Sequence, residues 1–130
     1  MNEQIKHYSD KLKYEVDSSD LYELIQNKEK IVIIDTRSKE AYDTAHIPGA
    51  INFPHRTMSE VSTKDFDKSF LYISYCDGIG CNGSTKGALN MSTLGFTVKE
   101  LMGGIDWWIR DGYETKGSQG QNENKISCGC

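Results

Sequence analysis

The pattern of apolar and polar residues predicts strands that alternate with helices along the chain. Two continuous apolar runs, at residues 31–36 and 70–75, are typical of strands buried on both faces of a sheet. Weaker strand signals lie at residues 14–16, 46–54 and 98–102. This alternation favours an α/β fold with a parallel sheet, in which ligands bind at the carboxyl ends of the strands.

Helices are predicted between these strands and after the last one. They cover residues 20–27, 38–45 and 84–94, together with a short segment that contains Trp107 and Trp108. Ser18 or Ser19 is the expected N-cap of the first helix, and Gly95 ends the third. Both tryptophans are expected to pack the last helix against the sheet.

The length of 130 residues predicts a single domain. Residues 1–17 are expected to form a peripheral helix or arm. Residues 18–115 form the domain itself, and residues 116–130 are expected to be a flexible tail that ends in Cys-Gly-Cys.

Charge and cysteine content narrow the functional classes. The 15 basic and 19 acidic residues give a net charge of −4, which disfavours nucleic acid and anionic membranes as partners. No apolar run approaches the length of a membrane span, and the first residues do not resemble a signal peptide. We therefore expect a cytoplasmic protein whose four cysteines are reactive or metal-binding rather than structural.

One cysteine occupies a position that favours a reactive thiolate. Cys76 directly follows the strand at 70–75 and begins a glycine-rich loop that leads into a helix. Backbone amides of such a loop, with the N-terminus of the helix, stabilise a thiolate and lower its pKa. The amides expected to form this anion cradle belong to Asp77, Gly78, Ile79, Gly80, Cys81 and Asn82. A small buried thiol without reactivity is the alternative.

A set of short motifs resembles the single-domain rhodaneses, which are sulfurtransferases, in a variant with a longer loop and a second cysteine. The resemblance covers about residues 18–114. The motifs are Asp35-Thr36-Arg37, Glu40 and Tyr42, residues 46–52 (HIPGAIN), Tyr75-Cys76 with its glycine loop, Leu94-Gly95-Phe96, and Gly103-Gly104 followed by Trp108.

The resemblance implies a rhodanese-like fold, with a five-stranded parallel sheet and helices on both faces. It implies that Cys76 is the nucleophile, which takes a sulfane sulfur from a donor such as thiosulfate or a persulfide and passes it to a thiol or cyanide. It also implies that Asp35 and Arg37 form an ion pair that supports the loops. A protein is a further candidate acceptor, and no metal or cofactor is expected.

The loop departs from the common form of the family. It carries neither Arg nor Lys between residues 76 and 84, whereas many rhodaneses have an Arg there that helps to bind anionic donors. A phosphatase would need such an Arg to hold phosphate, so that activity is disfavoured. The same absence weakens thiosulfate as the donor.

The remaining cysteines leave alternatives open. Cys81 either resolves an oxidised or persulfidated Cys76 through a disulfide or is a small loop residue. Cys128 and Cys130 either exchange sulfur or electrons with Cys76 or lie idle in the tail. A zinc site of all four cysteines is disfavoured by their spacing. The competing functions are therefore a thiol–disulfide oxidoreductase that uses Cys76 and Cys81, and a non-catalytic protein-binding module.

Overall fold

A parallel sheet of five strands forms the centre of residues 2–124, which are the residues that the computed structural model describes. The strands lie in the order β1-β5-β4-β2-β3. They are β1 (Glu15–Val16), β2 (Ile31–Asp35), β3 (Ile51–Asn52), β4 (Leu71–Tyr75) and β5 (Thr97–Leu101). The helices are α1 (Glu3–Tyr14), α2 (Ser18–Gln26), α3 (Lys39–Thr44), α4 (Gly83–Thr93) and α5 (Gly104–Arg110), with a 3-10 turn at His55–Thr57.

Both faces of the sheet are covered, as the two apolar runs predict. Side chains of β4 alternate between two cores: Ile73 and Tyr75 pack with Trp108 of α5, whereas Tyr72 packs with Met91 of α4 on the other side. The predicted fold class is therefore confirmed.

The beginning of α2 corrects the predicted cap. Asp17, rather than Ser18 or Ser19, is the N-cap: its side chain accepts a hydrogen bond from the amide of Asp20, and the Asp20 carboxylate accepts one from the amide of Asp17. Two carboxylates at a helix N-terminus accept hydrogen bonds from free amides, and their negative charge interacts favourably with the positive end of the helix dipole. The helix consequently starts two residues earlier than the apolar pattern indicates.

Residues 116–121 also differ from the prediction of a flexible tail. Lys116 pairs with His46 in an isolated bridge, and the amides of Ser118 and Gln119 donate to the carbonyls of Asp43 and Thr44. Backbone hydrogen bonds hold this polar segment in place. Its lack of apolar residues therefore did not indicate flexibility. The terminal Cys128 and Cys130 lie outside the described residues.

The two tryptophans of α5 have different environments. Trp108 is buried as predicted, and its indole Nε1 donates to the carbonyl of Glu114 at 2.8 Å. Trp107 is 44% exposed and lies beneath the guanidinium of Arg110, so its predicted packing against the sheet is wrong. Adjacent residues point about 100° apart around a helix, and only one of them faces the sheet here.

None of the residues of the N-terminal helix α1 is buried. None of the helices in residues 2–124 combines the length and hydrophobicity that a bilayer-spanning segment requires.

A buried polar network joins the carboxyl ends of β2 and β4. Asp35 is fully buried, and its carboxylate accepts hydrogen bonds from the Tyr75 hydroxyl at 2.6 Å and from the Arg37 guanidinium at 2.8 Å. The amide of Ile47 in turn donates to the Tyr75 oxygen at 3.1 Å. Burial and the neighbouring charge of Asp35 raise the pKa of Tyr75 well above its usual value, so the hydroxyl remains a donor.

The Tyr75 hydroxyl should contribute measurably to stability. Tyr75→Phe removes a donor from a buried carboxylate and an acceptor from a buried amide, so we expect a loss of about 1–3 kcal/mol in the free energy of unfolding. Tyr72→Phe is the matched control, because its hydroxyl makes one neutral hydrogen bond to the carbonyl of Asp67, worth about 0.5–1.5 kcal/mol. Urea unfolding of the reduced proteins measures both, and equal losses would contradict the role of the network.

Candidate active site

Cys76 lies at the carboxyl end of the central strand, where the topology of the sheet favours a ligand site. Its side chain is 6% exposed. The carbonyl oxygens of Cys76 and Asp77 accept hydrogen bonds from the amides of Ile105 and Asp106, at 3.0 and 2.8 Å. The first turn of α5 therefore fixes the backbone from which the loop begins.

The Gly103-Gly104 pair permits this close approach. Both glycines have positive φ, 78° and 59°, a region that side chains disfavour. A Cβ at position 104 would also overlap the Cys76 carbonyl oxygen and the backbone of Asp77 and Gly78. The glycine pair, visible in the sequence as a turn, is thus part of the cysteine site.

Cys76 and Cys81 form a disulfide, with Cα atoms 6.2 Å apart. Cys81 is the more exposed of the two, and its Sγ accepts a hydrogen bond from the amide of Gly83, the first residue of α4, at 3.4 Å. Both sulfur atoms crowd Gly83: a Cβ there would lie 3.0 Å from the Sγ of Cys76 and 3.4 Å from that of Cys81. The spacing in the sequence left the pairing open, because loop conformation decides it.

The backbone of the loop carries unused donors. The amides of Gly78, Ile79, Gly80 and Asn82 find no acceptor among residues 2–124. The Cys81 amide differs from the prediction, because it donates to the Gly78 carbonyl at 3.1 Å and closes a turn within the loop. Free amides of this kind suit an anion, although the Cys81 amide is already used.

Side chains of the first turn of α4 are bonded to strand β5. Asn82 is the N-cap residue, but its side chain makes no capping hydrogen bond. Instead the Glu100 carboxylate on β5 accepts hydrogen bonds from the hydroxyls of Ser84 and Thr85, at 3.1 and 2.8 Å. Sequence reasoning missed Glu100, since no local motif marks it.

A cleft of about 280 Å³ opens beside the disulfide. Its lining includes Lys11 and Glu15 of the α1–β1 segment, both cysteines, Glu100 and Met102. The cation of Lys11 is paired with Glu15 at 2.9 Å. The lining of the cleft thus holds two carboxylates and one cation, which is already paired.

Arg37 is committed to structure rather than to the cleft. The implied ion pair with Asp35 is present, and the guanidinium also donates to the carbonyl of Ala45 and, at 3.4 Å, to the exposed carboxylate of Asp77. Burial alone would lower the pKa of Arg37, but hydrogen bonding and the charge of Asp35 outweigh it and leave the pKa raised. The network links the strand ends to the first residue of the loop after Cys76.

The fold and the cysteine loop define a rhodanese-like protein. The family model described as "Rhodanese-like domain" matches residues 17–111, and the chain belongs to this family. Among solved structures, the BH2092 protein from Bacillus halodurans is 44% identical with a TM-score of 0.87, over 92% of this chain and 88% of that one. A rhodanese-related protein from Thermoplasma volcanium is 26% identical with a TM-score of 0.66, over 79% of this chain and 97% of that one.

A curated relative carries a functional name. The adenylyltransferase and sulfurtransferase UBA4 of Candida albicans is 29% identical over 111 residues, which are 76% of this chain. The match spans only 24% of the length of that relative. This similarity supports sulfur transfer at the level of the family, without specifying a donor or an acceptor.

The absence of a side chain at Gly83 should stabilise the Cys76–Cys81 disulfide. Gly83→Ala places a methyl group against two bonded sulfur atoms that cannot rotate away, whereas free thiols can, so we expect the disulfide to lose about 1 kcal/mol, or roughly five-fold in its equilibrium constant. Gly80→Ala is the matched control, because a Cβ there meets nothing within 4 Å. Equilibration of each protein in a glutathione redox buffer measures the constant, and equal values would contradict the crowding.

Proposed function

We propose that this protein is a sulfurtransferase that carries sulfane sulfur as a persulfide on Cys76. The observation that carries the proposal is the placement of Cys76, in a chain of this family, at the end of the central strand and at the start of a loop with free amides. Amides aimed at an anion in a partly desolvated site stabilise it more strongly than water would.

The proposed cycle has two displacement steps. The thiolate of Cys76 attacks the outer sulfur of a donor R–S–S⁻; the donor S–S bond breaks, R–S⁻ leaves, and Cys76–S–S⁻ forms. An acceptor thiolate then attacks the outer sulfur of this persulfide and releases the Cys76 thiolate. The chemistry needs no cofactor, and it needs the reduced form of Cys76, which fits a reducing compartment such as the cytoplasm.

The charges of the cleft favour a persulfide over thiosulfate as the donor. Glu100 and Glu15 line the cleft, the loop residue Asp77 has an exposed carboxylate, and Arg37 is already paired. A dianion gains little from such surroundings, whereas a persulfide carries at most one charge on its reacting sulfur. The proposed acceptor is a thiol, either small or on a protein, and cyanide serves as a laboratory acceptor.

A thiol–disulfide oxidoreductase is the second candidate, and the Cys76–Cys81 disulfide is the observation that favours it. A non-catalytic binding module has no comparable support in the site. The two enzyme functions differ in what reduced Cys76 acquires: a sulfur atom for a transferase, or only a bond to Cys81 for an oxidoreductase.

Cys76→Ser should greatly reduce sulfur loading. After reduction and removal of the reductant, we expect the parent protein to gain the mass of a sulfur atom from a small persulfide, and cyanide to remove it. Both proteins carry Cys128→Ser and Cys130→Ser, and the Cys76→Ser protein should gain far less sulfur, because a hydroxyl is not ionised at neutral pH. Intact-protein mass spectrometry measures both.

Protein of the Cys128→Ser/Cys130→Ser background left in the disulfide form is the internal control for this experiment, because both of its remaining cysteine sulfurs are already bonded and should gain nothing. Loading of Cys76→Ser to the extent of the parent protein would contradict the assignment of the nucleophile.

Glu100→Gln should improve loading from thiosulfate. The amide oxygen still accepts from Ser84 and Thr85, but a negative charge leaves the cleft, so we expect a rise of about three- to ten-fold in the second-order rate, or about 1 kcal/mol. Glu60→Gln, which makes the same charge change elsewhere on the surface, controls for net charge. The rate is measured from the release of sulfite. Equal rates for both variants would contradict the electrostatic argument.

A further inference from the structure

We propose that Cys81 reduces the persulfide on Cys76, so that the protein releases sulfide and ends each cycle as the Cys76–Cys81 disulfide. This inference rests on the proposed function and names a second fate for the sulfur. The disulfide in the structure is then the product state of the reaction.

The geometry brings the required atoms together. The two Sγ atoms are bonded, so the loop readily holds Cys81 against the inner sulfur of a persulfide at position 76. Cys76 is 6% exposed with Cys81 bonded to it. A thiol five residues away has a high effective concentration at the same point.

The surroundings of Cys81 suit an attacking thiolate. Its Sγ accepts a hydrogen bond from the amide of Gly83, at the N-terminus of the eleven-residue α4. A helix N-terminus and a donated hydrogen bond both stabilise the ionised form of a thiol.

The step balances in atoms and electrons. A proton passes from the Cys81 thiol to the outer sulfur, which gives Cys76–S–SH and a Cys81 thiolate. The thiolate attacks the Sγ of Cys76, the S–S bond of the persulfide breaks, and HS⁻ leaves. The sulfane sulfur gains two electrons, and the two cysteines are oxidised to their disulfide.

An external dithiol completes the turnover. It attacks the Sγ of Cys81, which is the more exposed sulfur, and Cys76 leaves as the thiolate that accepts the next sulfur. Over a full cycle, a persulfide donor and a dithiol become a thiol, sulfide and the disulfide of the dithiol.

The test uses the full chain with Cys128→Ser and Cys130→Ser, so that only Cys76 and Cys81 remain as thiols. The reduced protein, freed of reductant, receives an equivalent of cysteine persulfide, and acid-quenched samples are followed by intact mass and by a colorimetric sulfide assay. We expect the added sulfur to appear, then to be replaced by the loss of two hydrogens, with a sulfide released for each disulfide formed.

The Cys81→Ser variant in the same background separates the outcomes. We expect it to keep the added sulfur at least about ten-fold longer and to release no sulfide. If the parent protein keeps its sulfur equally long, or if peptide mapping finds the sulfur moved to Cys81 without sulfide, the inference is overturned while the proposed function stands. If Cys81→Ser, folded by circular dichroism, never gains sulfur, both are overturned.

Discussion

The parallel pairing of β2 with β4 is the constraint on which the site depends, and the Asp35 carboxylate secures its carboxyl end. Asp35 and Tyr75 are register partners, so the bond between their side chains links neighbouring strands just before Cys76. Such a carboxylate is costly to bury unless it is paired, and Arg37 and Tyr75 together provide that pairing. The same arginine then reaches Asp77, so one network fixes both the strand ends and the start of the loop.

Much of this architecture could be predicted from the sequence, because burial on both faces leaves a clear apolar signature at β2 and β4. The details that depend on polar contacts could not be predicted in this way. Asp17 displaced the expected serine caps because Asp17 and Asp20 each accept a hydrogen bond from the other's amide. Residues 116–121 are held by backbone bonds that side-chain polarity does not reveal. The glycine loop and Cys76 were visible, but the contribution of Glu100 required knowing that β5 lies beside the start of α4.

The loop combines two kinds of sulfur chemistry that the sequence left as alternatives. A persulfide needs an anion-binding backbone, whereas a disulfide needs a second thiol within bonding distance. Here the free amides of residues 78–80 and the Cys76–Cys81 bond occur in the same short segment. The proposed reduction of the persulfide makes them successive states of one site rather than rival functions.

The attachment of α4 to β5 has a mechanical consequence for these states. The hydroxyls of Ser84 and Thr85 are anchored to Glu100 on β5, whereas the loop contacts the start of the helix through the Sγ of Cys81, which accepts from the Gly83 amide. The two bonds to Glu100 involve no atom of the loop, so they hold the first turn of α4 to the sheet when the sulfur of Cys81 changes partner. The start of the helix therefore has an attachment to the sheet that does not depend on the state of the cysteines.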